Sequence, residues 1–292
     1  MRILLAQPQE VPAIGASCTH HLLHRSSCRA CVDVCPVQAL TFVEGKVTLV
    51  HEHCLHCGDC LFACPREAIH GIAAPSRHYC GDALVAPLSF QPASTAELLI
   101  WHRLYHLRAV ACDSDAHPGW VLAVARLNLV LQRWQEPLWR LLPPAATGVN
   151  VARRALFQAR AASVHCASVP AGKRLLRQLY PQLSETIPVV DPQRCHLCGA
   201  CARVCPESAL RLTENFFEIE SVRCTDCKNC QAVCPSQAIT LEAGPRSEPL
   251  SQHVLFTVQC PTCQRAFASR ESENGVCPLC RQHQHGMRRT CC

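Results

Sequence analysis

Apolar and polar positions alternate in two short stretches of the chain that answer each other. Leu40-Thr-Phe-Val43 and Lys46-Val-Thr-Leu-Val50 alternate around Glu44-Gly45, and Leu210-Arg-Leu-Thr213 and Phe216-Phe-Glu-Ile-Glu220 do so around Glu214-Asn215. A period of two marks strands with one buried face, and a two-residue turn carrying Gly or Asn between them predicts a β-hairpin. The middle of the chain has another rhythm. Ala83 to Leu88, Arg108 to Cys112 and Leu138 to Leu142 are apolar runs of strand length. Between them Ser94-x-x-Glu97 is a capping box that opens a helix to about Leu107, and Pro118-Gly119 opens another to about Trp134. That order predicts a small β-α-β-α-β module with a parallel sheet, followed by two basic helices over Val151–Val164 and Lys173–Tyr180. No Gly-rich phosphate loop follows any of these strands, so the module reads as a structural or docking element.

Cysteine changes the picture. The chain has 25 of them in 292 residues. Most form one array written twice: Cys28, Cys31, Cys35-Pro36, Cys54, Cys57, Cys60 and Cys64-Pro65 recur 170 positions later as Cys198, Cys201, Cys205-Pro206, Cys224, Cys227, Cys230 and Cys234-Pro235. The second copy also has Cys195, whose counterpart position holds Arg25. The surroundings repeat too, with Ala39-Leu40 matching Ala209-Leu210 and Ala68-Ile69 matching Ala238-Ile239. The run C-x₂-C-x₂-C-x₃-C-P is the bacterial ligand spacing for [4Fe–4S] clusters, in which the last cysteine serves the other cluster of the pair.

Residues 18–73 and 187–242 therefore resemble the bacterial-type 2[4Fe–4S] ferredoxin family, in an arrangement similar to polyferredoxins. The resemblance implies an α+β chain. Two pseudo-symmetric dicluster domains, at 1–79 and 186–243, flank the α/β module at 80–185, and a tail covers 252–292. It implies four [4Fe–4S] clusters and these ligand sets: Cys195, Cys198, Cys201 and Cys234; Cys224, Cys227, Cys230 and Cys205; Cys54, Cys57, Cys60 and Cys35. The last set has Cys28, Cys31 and Cys64 and needs a fourth ligand, for which Cys18 is preferred. His20, His21, His24, Cys80 or an open iron are the rivals. Apart from that ligand question, the histidines near the first array, His20, His21, His24, His51, His53 and His56, read as solvated surface groups.

The tail adds Cys260-x₂-Cys263 and Cys277-x₂-Cys280, two knuckles that resemble a zinc ribbon closing on one Zn, with a mononuclear Fe as the alternative. His283, His285, Cys291 and Cys292 read as a loose end, and Cys112 and Cys166 as ordinary thiols. The formal charge of +6 loses its simple meaning once metals bind. Each cubane or zinc held by four thiolates carries about −2, so the basic residues compensate metal-site charge. That weakens a nucleic-acid reading of Arg153, Arg154, Arg160, Lys173, Arg174 and Arg177.

The longest apolar candidate for a span, Val121 to Leu131, contains Arg126 and Asn128, so no transmembrane segment is expected. Ile3 to Ala6 is too short for a secretory leader, and thiols in this number fit a reducing cytoplasm. The function expected is one-electron transfer to and from redox partner proteins, as a subunit or accessory of a larger oxidoreductase. The alternatives are a redox enzyme with an open iron in the first array and a nucleic-acid-binding regulator. A radical-forming Cys-x₃-Cys-x₂-Cys loop is missing from the sequence, which argues against the enzyme.

Overall fold

The computed structural model describes residues 11–144, 163–244, 250–273 and 275–283. The helix expected over Val151–Val164 lies largely outside these. By its contacts the chain divides into two compact units, 1–24 with 29–180 and 25–28 with 181–292.

The first unit opens with β1 (Ala13–Ile14), α1 (Thr19–Leu22) and α2 (Ala30–Asp33). Then come the hairpin β2 (Leu40–Val43) and β3 (Lys46–Leu49), α3 (Asp59–Ala63) and β4 (Ile69–His70). β2 and β3 pair antiparallel with Leu40 opposite Leu49, and β1 pairs with β4, Ile14 opposite Ile69. Glu44 and Gly45 both take positive φ, 51° and 76°, the geometry a tight two-residue hairpin turn requires. Leu40, Val47 and Ile69 bury their side chains together with Cys60 and Cys64.

A five-stranded sheet completes this unit, with spatial order β8-β7-β6-β5-β9. Its strands are β5 (Arg77–Cys80), β6 (Ala83–Leu84), β7 (Ala109–Ala111), β8 (Arg140–Leu142) and β9 (His165–Ala167), and its helices α4 (Thr95–Leu104), α5 (Pro118–Arg133) and α6 (Lys173–Leu179). β6, β7 and β8 run parallel, joined by α4 and α5, whereas β5 pairs antiparallel with β6 and β9 antiparallel with β5 at the sheet edge. Ser94 caps α4 by accepting the Glu97 N–H at 3.3 Å. The Glu97 carboxylate turns away from the cap and into the core, where it is fully buried and meets Arg77 bidentately at 2.6 and 2.8 Å. The four tryptophans Trp101, Trp120, Trp134 and Trp139 are all buried in this module. Rings this large bury extensive apolar surface, beside the aliphatic core of Leu84, Leu98, Leu99, Leu127 and Leu131.

Two polar links bind the module to α3 and to the turn that follows it. Arg77 Nη1 donates to Ser89 Oγ at 2.6 Å, Ser89 Oγ donates to Gln91 O, and Trp120 Nε1 donates to Ser89 O at 2.8 Å. The loop so fixed presents Gln91, whose Nε2 donates to Asp59 Oδ2 at 2.9 Å. At the second link Arg174 reaches Glu67 through its backbone N–H at 3.3 Å and Nη1 at 3.1 Å.

In the second unit, β10 (Thr186–Val190), α7 (Ala200–Val204), β11 (Leu210–Leu212), β12 (Phe216–Glu220), α8 (Asn229–Val233) and β13 (Ile239–Ala243) repeat the first pattern. β10 pairs with β13, Val190 opposite Ile239, and β11 with β12. β14 (Leu250–Val254) then joins the free edge of β12, Phe217 opposite His253. The chain after the second array thus enters its sheet as a third strand. β15 (Phe256–Gln259) and β16 (Ala266–Ser269) form the last hairpin, and α9 (Pro278–His283) follows.

Candidate metal centres

All four Cys-Pro pairs sit in one kind of turn. After Cys35, Cys64, Cys205 and Cys234 the third residue is left-handed: Gln38 at φ 52°, Glu67 at 50°, Ser208 at 51° and Gln237 at 51°. Each left-handed residue aims the next N–H back at the cysteine. Ala39, Ala68, Ala209 and Ala238 donate to the four sulfurs at 3.2, 3.3, 3.2 and 3.2 Å. These alanines are at most 2% exposed. A non-glycine left-handed residue costs roughly 1–2 kcal/mol, so four in matching places mark a conformation that the site requires.

The three complete triplets share a second device. Two left-handed residues alternate with the cysteines: His56 and Gly58, Leu197 and Gly199, Asp226 and Lys228. The loop turns on itself and its thiols converge. Cys35, Cys54, Cys57 and Cys60 line one small cavity. Cys205, Cys224, Cys227 and Cys230 line another, and Cys195, Cys198, Cys201 and Cys234 a third.

The electrostatics follow from this crowding. Burial, followed by the neighbouring Cys57, Cys54 and Cys35, pushes the Cys60 thiol up to about 12. Burial pushes Cys224 up to about 12 and Cys201 up to about 11, and drives Cys230 upward too. Cys234 goes the other way: burial opposes ionisation, but the Ala238 N–H and the Ser236 hydroxyl outweigh it. Thiols packed this closely resist losing their protons to water, and a cationic iron core is what stabilises them as thiolates. The donor sets fit a cubane.

The incomplete set is built differently. Arg29 stands where the complete triplets place a left-handed residue and has φ −123°. The match to Cys195 lies further upstream. In the second unit, the Asp191 N–H bonds the Ala238 carbonyl at 2.8 Å, and the Cys195 N–H bonds Asp191 O at 3.0 Å. In the first unit, the Gly15 N–H bonds Ala68 O at 2.6 Å, and the Cys18 N–H bonds Gly15 O at 3.1 Å. Arg66 Nε adds a bond to Ser17 O at 3.2 Å. Cys18 thus follows the end of β1 much as Cys195 follows the end of β10, one residue sooner, and α1 comes directly after it. Cys18 and Cys31 pack against the cluster that holds Cys64. Cys28 is buried, with its N–H on Ser26 Oγ at 3.3 Å.

Among the rivals, His20 is buried with its ring edge on Phe42 at 4.7 Å, which corrects its reading as a solvated group. His21 and His24 are exposed, and Cys80 lies in β5 opposite Ala83. Asp59 had no signal in the sequence reading. It is the first residue of α3 and buried, its N–H donates to the Cys57 sulfur, and burial raises its carboxyl despite the bond from Gln91.

In the tail, the sulfurs of Cys260, Cys263, Cys277 and Cys280 all lie within 4.8 Å of one another. The first pair sits on the turn between β15 and β16, with Gln264 left-handed at φ 60° and its N–H on Cys260 O at 2.8 Å. The second pair opens α9 instead of forming a second knuckle, and the Cys277 N–H donates to Cys260 Sγ at 3.3 Å. Four thiols in this compass fit a single tetrahedral metal. Of the basic residues, Arg174 pairs with Glu67 and Arg177 is buried, while Arg153, Arg154 and Arg160, like His285, Cys291 and Cys292, lie outside the described residues. Cys112 is buried and Cys166 exposed. No described helix is long and apolar enough to cross a membrane.

The family model of the 4Fe-4S dicluster domain matches residues 24–68 and again 194–238. No curated protein matches the chain. The chain thus carries two 4Fe-4S dicluster domains, the cofactor content of an iron–sulfur electron-transfer protein.

Proposed function

We propose that this protein relays single electrons through four [4Fe–4S] clusters, as a polyferredoxin-like subunit or accessory of a cytoplasmic oxidoreductase. The ligand sets are Cys35, Cys54, Cys57 and Cys60; Cys195, Cys198, Cys201 and Cys234; Cys205, Cys224, Cys227 and Cys230; and Cys18, Cys28, Cys31 and Cys64. The observation that carries the reading is the convergence of three complete cysteine sets on three cavities, with a backbone N–H held on each Cys-Pro sulfur. Such donors lower the energy of a charged sulfur, and with burial and net charge they set a cluster's potential. When bound, the clusters supply reversible one-electron chemistry, and no side chain needs to act as acid, base or nucleophile.

The kinship of Cys18 with Cys195 supports a complete fourth set and argues against an open iron. The engagement of Arg174 and burial of Arg177 argue against a nucleic-acid surface. Zinc is the proposed occupant of the Cys260–Cys263–Cys277–Cys280 site, as a structural ion for the tail. The domains follow the same reading: two dicluster domains at 1–79 and 186–243, a scaffold at 80–185 and a metal-bound tail at 252–292.

Anaerobic reconstitution with iron and sulfide, followed by chemical reduction, tests the relay. Paramagnetic resonance should show reduced cubanes, and oxidation should reverse the signal. A chain that binds iron without giving any such signal would contradict it.

A further inference from the structure

Asp59 and Asn229 stand 170 positions apart and hold the same place in the two copies. Each opens a short helix after a left-handed residue, Gly58 at φ 79° or Lys228 at 61°. Each lies between the second and third cysteines of a complete triplet. They are 6% and 3% exposed, and each leaves Oδ1 buried without a hydrogen-bond partner. One turn, beside equivalent thiols, thus carries a carboxyl in the first copy and a carboxamide in the second.

The exchange preserves shape and changes chemistry. A carboxylate only accepts hydrogen bonds and adds negative charge, whereas a carboxamide is neutral and donates two N–H groups. Cluster potential responds to both quantities, the net charge nearby and hydrogen bonding to sulfur. A buried charge is also poorly screened by salt. The middle module is what lets the first copy keep an acid here. Gln91 donates to Oδ2 at 2.9 Å, a bond that favours the carboxylate.

We propose that this position sets the potential of the cluster beside it. Asp59 holds the Cys35–Cys54–Cys57–Cys60 cluster lower than an amide would, and Asn229 holds the Cys205–Cys224–Cys227–Cys230 cluster higher than an acid would. The proposal rests on the reading of these thiols as cubane ligands. An arriving electron makes and breaks no bond here. The residue changes only the energy of adding negative charge, and the acid–amide pair biases an electron toward the second copy. Solvent works in the opposite sense, because Leu55 is 59% exposed and its counterpart Thr225 only 4%. The contribution of the position is therefore read within each cluster, by exchanging the one residue.

The experiment is a potentiometric titration of the full, cluster-loaded chain followed by paramagnetic resonance. Asp59→Asn should move one midpoint upward, and Asn229→Asp should move one downward. Glu52→Gln removes an exposed carboxylate near Cys54 and should move none. Unmoved midpoints in both exchange variants, or shifts of the same sign, would overturn the proposal. If Asp59→Asn fails to hold its cluster, the sign of the Asn229→Asp shift decides alone. Failure of the relay reading looks different, since the unaltered chain would then show no reducible cubane.

Discussion

Replacing Arg77 by Met should unfold the middle module far below the denaturant concentration at which the native chain unfolds. The guanidinium is 5% exposed and its partner Glu97 is fully buried, with the two joined at 2.6 and 2.8 Å. Methionine fills much of the same volume but leaves the carboxylate with only the 3.3 Å bond from Trp101 Nε1 among its side-chain donors. Breaking one side of a buried ion pair costs about 3–5 kcal/mol, mostly from the uncompensated charge. With a urea slope of about 2 kcal/mol per molar, the midpoint should fall by roughly 2 M. Tryptophan fluorescence is the natural probe, because all four tryptophans lie in this module. The loop carrying Gln91 should loosen as well, since Arg77 also holds Ser89. A midpoint change corresponding to less than about 1 kcal/mol, the worth of an exposed pair, would refute the reasoning.

Other outcomes follow from the same geometry. Cys18→Ser should alter or lose one cluster and leave the others, read as a drop of about one quarter in reducible spins; an unchanged spectrum would reopen the choice of ligand. His102 is buried and takes a hydrogen bond on Nδ1 from Trp139 Nε1 at 2.9 Å. Burial, then Arg108, pushes its imidazole down from 6.5 to about 4. The unfolded chain therefore binds the proton first, and module stability should fall by about 3 kcal/mol as pH drops from 6.5 toward 4. Urea midpoints measured across that range should lose most of this slope in His102→Gln; an equal slope in the variant would contradict the assignment. A strong zinc chelator should expose tail amides around β15 and β16 to hydrogen exchange without bleaching the clusters; bleaching in step with tail opening would argue against a separate structural ion.

Much of the fold was written in local patterns. Glu44-Gly45 and the alternation around it mark the first hairpin, and Ser94-x-x-Glu97 marks the start of α4. The order of apolar runs marks the parallel strands β6, β7 and β8. The antiparallel strands β5 and β9 were not legible, because Arg77–Cys80 and His165–Ala167 have neither length nor alternation. β14 was missed for the same reason: Leu250–Val254 is mostly exposed and gains its place by pairing with β12.

At the sites, cysteine spacing revealed the donors but not the backbone that aims them. Gln38, Glu67, Ser208 and Gln237 carry no glycine signal for their left-handed turns, so the conformation shows only in three dimensions. The position of Cys18 was hidden by a change of register. Cys28 and Cys198 differ by 170, whereas Gly15 and Asp191 differ by 176. The six added residues make room for α1, and a fixed offset lands on Arg25 instead of Cys18. Asp59 gave no signal because its meaning depends on Gln91, which is 32 residues away.

The most direct test of the central claim counts electrons. In an anaerobic reductive titration, the fully reconstituted chain should take up about four electrons, one for each cubane, and bind about sixteen irons. Uptake of none, with the iron bound only as isolated ions, would contradict the account.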